Sequence, residues 1–215
     1  MDVRAIADLR ELARRDNELA ANAERLRRLD ADVAAIRTRA EQIDGFSTAY
    51  PAEEAKRRDA VRGAETEVEQ RRNEAARARA AAETARDERQ RELAERAAAR
   101  AADRATVADT RLERANAERD KLERDAATLP SELPALRERA CAVSGELPGV
   151  ADPADGLPLI DWCAHAHTEL FVVTGQIDAA RERIIREANE LASMLLGDPT
   201  YGSTVAQALA RVEGR

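Results

Sequence analysis

Residues Pro51 to Leu129 read PAEEAKRRDAVRGAETEVEQRRNEAARARAAAETARDERQRELAERAAARAADRATVADTRLERANAERDKLERDAATL. After Pro51 no proline occurs before Pro130, the one glycine is Gly63, and Ala, Arg and Glu dominate. These residues lose little side-chain freedom on a helix and rank among the strongest helix formers. The stretch predicts one uninterrupted helix, about 115 Å long at the usual helical rise. The predicted fold is therefore all-α, an elongated antiparallel coiled coil built on one very long central helix.

Composition agrees with thin packing rather than one round core. Aromatic residues make up 2% of the 215 and charged residues 36%, and much of the apolar fraction is alanine, which buries little area per residue. Long seams must replace a deep interior. The formal charge of -7 disfavours a general binder of nucleic acid or of an anionic membrane surface, since both need a concentrated basic face. Acidic and basic residues balance between Ala52 and Thr128, with a mild basic excess from Arg71 to Arg104 that reads as a solvated face. Lys56 and Lys121 are the only lysines, an arginine bias that fits a GC-rich, bacterial coding sequence.

No apolar run is long enough to span a bilayer. The start of the chain, MDVRAIADLRELARRD, is charged where a signal peptide would be apolar, so the expected location is cytoplasmic. Cys141 and Cys163 are too few for a disulfide framework and suit a reducing compartment.

Upstream of the long stretch, Leu12, Leu19, Leu26, Val33 and Ala40 recur every seven residues, and Leu29, Ile36 and Ile43 form a second row. This is the apolar spacing of a helix seam, interrupted in the second row at Arg15 and Asn22. Asp44-Gly45 reads as a helix end and Pro51 as the first turn of the next helix. The predicted hairpin thus has helices over about 2–44 and 52–128, joined by a tip at 45–51. Large residues would face small ones across it, Ile36 with Val61, Val33 with Ala64 and Leu29 with Val68. Further along, the row Ala94, Ala101, Ala108, Ala115 and Leu122, interleaved with Ala98, Ala105, Leu112 and Ala126, requires a second partner helix.

Prolines and glycines from Pro130 to Pro158 mark a connector within 129–215, with room for one short helix from about Leu133 to Val143. A third long helix, about 158–196, carries the broadest apolar stripe, from Ile160, Cys163, His167 and Leu170 to Leu191 and Leu195. It is expected to return along the central helix. A short helix over about 203–213 presents Val205, Leu209 and Val212 on one face. The alternative architecture breaks the central helix near Asp87 to Arg91 and folds the chain into a shorter bundle.

Two clusters could carry function. The predicted tip groups Asp44, Phe46, Tyr50, Glu53 and Glu54, which places acidic and aromatic side chains at an end that a plain spacer need not decorate. Such an acidic hairpin tip resembles those of transcription factors that probe a polymerase channel. The second cluster, Asp161-Trp162-Cys163-Ala164-His165-Ala166-His167, holds both histidines. Residues four apart share a helix face, so Cys163 pairs with His167 while Asp161 and His165 point elsewhere. With Cys141 folded back, Cys163 and His167 make at most a three-ligand metal site, short of the four that structural zinc takes. No metal and no cofactor is expected.

Phosphate-binding glycine loops, nucleophile elbows and HExxH motifs are lacking, so the chain reads as a non-enzyme. The expected function is that of a structural or scaffold protein, a rigid spacer or bridge that binds protein partners or itself through coiled-coil seams. Composition and periodicity resemble the arms of SMC-like ATPases, which implies an accessory role beside ATP-binding heads on another chain, or that this chain is a piece of such an arm. The alternatives are a polymerising membrane-associated protein of the phage-shock type and a metal-responsive helical switch at Cys163 and His167.

Overall fold

The computed structural model describes residues 3–147, 149–153, 157–199 and 202–214. Every α-helical or 3-10 element among them is helical, in the order α1 (Val3–Glu83), α2 (Glu88–Thr128), a 3-10 turn (Pro130–Glu132), α3 (Leu133–Ser144), α4 (Leu159–Leu196) and α5 (Val205–Glu213). The chain divides into two compact units, Met1–Glu41 with Pro134–Arg215, and Gln42–Leu133. Helix α1 contributes to both.

Helix α1 corrects the sequence reading. Its 81 residues run without interruption through Gly45 and Pro51, where the tip at 45–51 was expected. A mid-helix glycine costs about 1 kcal/mol and a mid-helix proline about 3 kcal/mol. Against that cost, the apolar stripe continues across the expected tip as Ile43, Phe46 and Tyr50, with Ile43 only 2% exposed. Ending the helix there would abandon this register. The break falls instead at residues 84–87, where Thr84-Ala85-Arg86-Asp87 offers nothing large to bury. Asp87 is extended (φ -121°, ψ 159°), and its side chain caps α2 by accepting from the Gln90 amide at 2.7 Å. The break thus lies just before the alternative position near Asp87 to Arg91.

In the unit Gln42–Leu133, α2 runs antiparallel to the later part of α1. Arg57 pairs with Glu118, Glu67 with Arg111 at 3.0 Å, and Arg72 with Asp109 at 2.9 Å. The face closed between them carries Val61, Val68 and Ala75 from α1 and Ala101 and Ala108 from α2, all buried. The interleaved residues Ala94, Ala98, Ala105, Leu112, Ala115, Leu122 and Ala126 are half-buried. The alanine row therefore finds its partner in the later part of α1, not in the third long helix. Ile36 and Val61, expected to face each other, sit on the same helix.

In the other unit, α4 runs antiparallel to the first part of α1. Arg181 donates to Asp16 at 2.9 Å and His167 meets Asp30 at 2.8 Å. One cluster buries Leu9 and Leu12 of α1 with Ala188 and Ala192 of α4 and Val205, Ala208 and Val212 of α5. Alanines on α4 let the three helices approach closely, while α1 and α5 supply the larger side chains. Helix α5 is held by a reciprocal cap in which Thr204 and Gln207 each satisfy the other's backbone amide, at 3.3 and 2.9 Å. Helix α4 ends at Gly197, whose φ of 67° is the left-handed conformation that favours glycine. Near the start of α4, Trp162 is fully buried, and its indole nitrogen donates to the Ala151 carbonyl at 3.0 Å. Helix α3 and its following turn are tied to α1 by Arg139 to Asp32 at 3.2 Å and Arg25 to Glu146 at 2.7 Å.

Candidate functional site

The five residues expected at a tip lie on the middle of α1. Phe46 and Tyr50, one turn apart, touch through their rings with centroids 5.9 Å apart and planes tilted by 39°. Both are half-buried. The two rings continue the packed stripe of α1. Glu53 is turned toward Lys56 and Arg57, at 3.6 and 3.9 Å, and Glu54 pairs with Arg58. Asp44 is exposed. Their acidic charge is thus partly matched locally, as is usual along an exposed helix.

The metal candidates are also separated in role. Cys163 is fully buried, and burial pushes its thiol from the ordinary 9.0 to about 11. His167, four residues on, is exposed on the other edge of that face and is occupied by Asp30. Cys141 directs its sulfur to the Asp152 carboxylate at 2.7 Å. Among the described residues, no three His, Cys, Asp or Glu side chains assemble as a ligand set. Cys163 is a poor nucleophile as well as a poor ligand in this setting, because the thiolate is the reactive form.

Two features escaped the sequence reading. Beside α4 and the start of the α5 connection lies an open groove of about 770 Å³, with Ile185, Asn189 and Met194 in its wall. Asn189 is 7% exposed, and its side-chain nitrogen donates to the carbonyls of Ile185 and Ser203 at 2.7 and 2.9 Å. Two carbonyl acceptors fix which end of the amide is nitrogen. Its Oδ1 then stays buried with no hydrogen-bond partner. Asn189 is a strap between α4 and the segment before α5.

The second feature is the exposed apolar surface of α4, where Phe171 is 78% and Val172 46% exposed. The signal was present in the sequence as an uncharged run from Thr168 outward, broken only by Glu169. Spacing alone does not expose it, because Phe171 directly follows Leu170 of the broad apolar stripe, which is buried. Exposed Leu93 and Val107 on α2 are smaller instances.

Chemically, the described side chains offer surfaces for packing and for ion pairing. No helix among the described residues is long and apolar enough to cross a membrane. Compared with known protein families, with curated proteins and with solved structures, the chain matches none of them.

Proposed function

We propose that the chain is a non-catalytic structural protein, in which antiparallel coiled-coil seams hold long helices as a scaffold or bridge for protein partners. The observation that supports this reading most is α1 itself. A helix of 81 residues is far longer than the three or four turns usual for a compact domain, about 120 Å of helix by its rise per residue. Its first part is covered by α3, α4 and α5 and its later part by α2. Two stretches of one helix are thus stabilised by different partners, an economical way to keep a long element ordered while leaving one side of each stretch free.

The test is photo-crosslinking in the native host, with a photoreactive residue at exposed Leu93 or Phe171. The reading expects discrete adducts to specific proteins at one or both positions. Labelling of lipid alone would favour a peripheral membrane role of the phage-shock kind, and no adduct at either position would remove the scaffold reading.

A further inference from the structure

The groove beside α4 collects polar groups that the fold leaves without partners. Its volume of about 770 Å³ falls in the range of small-molecule sites. Ile185 and the exposed Met194 supply apolar wall on α4, and Gly202 contributes to the lining without a side chain. A Cβ added at Gly202 would meet nothing within 4 Å, so the space beside it is open.

Three polar residues, Arg186, Asn189 and Glu190, share this lining within about one helical turn. Arg186 and Glu190 are exposed and make no hydrogen bond or ion pair among the described residues. Asn189 is 7% exposed, and its side-chain nitrogen is committed to the Ile185 and Ser203 carbonyls. That leaves its Oδ1 buried with no donor. An unpaired buried acceptor is rare in a native fold and calls for a donor from outside it. The neighbouring charges Glu182, Arg183 and Glu187 are not part of the lining.

Each of the three groups selects a counterpart. The Arg186 guanidinium suits a carboxylate, which it can hold through two parallel bonds. Glu190 suits a cation. Oδ1 needs an N–H or O–H, which a quaternary ammonium lacks and a primary ammonium supplies three times over. One primary ammonium can therefore serve Glu190 and Oδ1 together. The opposite charges of Arg186 and Glu190 cancel, so the matching ligand is a zwitterion with no net charge.

We propose that this groove binds a free α-amino acid with an apolar side chain. Its ammonium lies toward Glu190 and Asn189, its carboxylate on Arg186, and its side chain along Ile185 and Met194. A peptide terminus carries only one of the two charges and is the weaker ligand. The site stands apart from the scaffold reading, because binding is measured on the purified chain with no protein partner.

The test is isothermal titration of the full chain with L-phenylalanine up to about 20 mM. Saturable binding is expected, with a dissociation constant on the order of 1 mM or below. N-acetyl-L-phenylalanine lacks the ammonium and phenethylamine lacks the carboxylate, so each should bind about tenfold more weakly. Arg186→Ala and Glu190→Ala, both at exposed positions, should each weaken L-phenylalanine about tenfold. Arg186→Ala should leave phenethylamine unchanged. In the nitrogen-15-labelled chain, the side-chain amide resonances of Asn189 should shift along the same binding curve. No saturation, equal binding of the N-acetyl compound, wild-type affinity in both variants, or an Asn189 amide that stays still while the ligand binds would each overturn the proposal.

Discussion

At Gly45 the backbone is helical, and a Cβ added there would meet nothing within 4 Å. Gly45→Ala is therefore expected to stabilise the protein by about 1 kcal/mol, because alanine loses less backbone freedom than glycine in a helix. Denaturant unfolding measures it. A glycine that ended a helix in the left-handed conformation would give the opposite sign, so this substitution separates a continuous α1 from a hairpin tip. Cys163 gives a second residue-scale prediction. Its thiol is raised by burial to about 11, so the folded chain holds it neutral while the unfolded chain ionises near 9.0. Its contribution to stability is full below the unfolded value and is lost as pH rises between the two. At pH 8 a thiol reagent should leave Cys163 unmodified until the chain is unfolded, as peptide mapping would show; rapid labelling in the native protein would contradict its burial.

Helix ends and crossings carry the next set of effects. Asp87→Ala removes the carboxylate that caps α2 and should cost about 1 kcal/mol. Asn189→Ala should cost about 1 to 3 kcal/mol, since it leaves the Ser203 carbonyl without its donor, although it also relieves the unpaired Oδ1. Both are measured by chemical denaturation, and an unchanged midpoint in either would show that the cap or strap is dispensable. These elements also show what was readable in the sequence. The stripe from Ile160 to Leu195 and the alanine row from Ala94 to Leu122 were visible because helical spacing repeats over many turns. Partner choice was not visible. Alanine rows fit almost any larger row, so Val61 and Val68 could be aligned with Ile36 and Leu29 as easily as with α2. Gly45 and Pro51 then decided the matter wrongly, because their local cost is outweighed by a stripe that continues through Ile43, Phe46 and Tyr50. Among the candidate site residues, Cys163 was readable as a seam residue. The exposure of Phe171 was not, since spacing alone cannot say how wide a face its neighbours cover.

For the molecule as a whole, the division into two units has a measurable consequence. The unit with α3, α4 and α5 buries Leu9, Leu12, Leu26, Ile36, Trp162 and Leu170, whereas the unit Gln42–Leu133 buries mainly Ile43, Val61, Val68 and alanines. Alanine removes less apolar area from water, so the second unit should melt first. Trp162 is the only tryptophan and reports on the first unit alone, while far-ultraviolet circular dichroism reports on all helices. Heating should therefore lower the helical signal before the tryptophan emission shifts, and coincident curves would contradict independent units.

Helix α1 runs as one helix through both units. Native-state amide hydrogen exchange, resolved to short peptides, tests it most directly. The account predicts slow exchange through residues 46–50, matching the flanking turns, and a fast window at 84–87. Fast exchange at 45–51 together with protection across 84–91 would contradict it and restore a hairpin turning at Gly45.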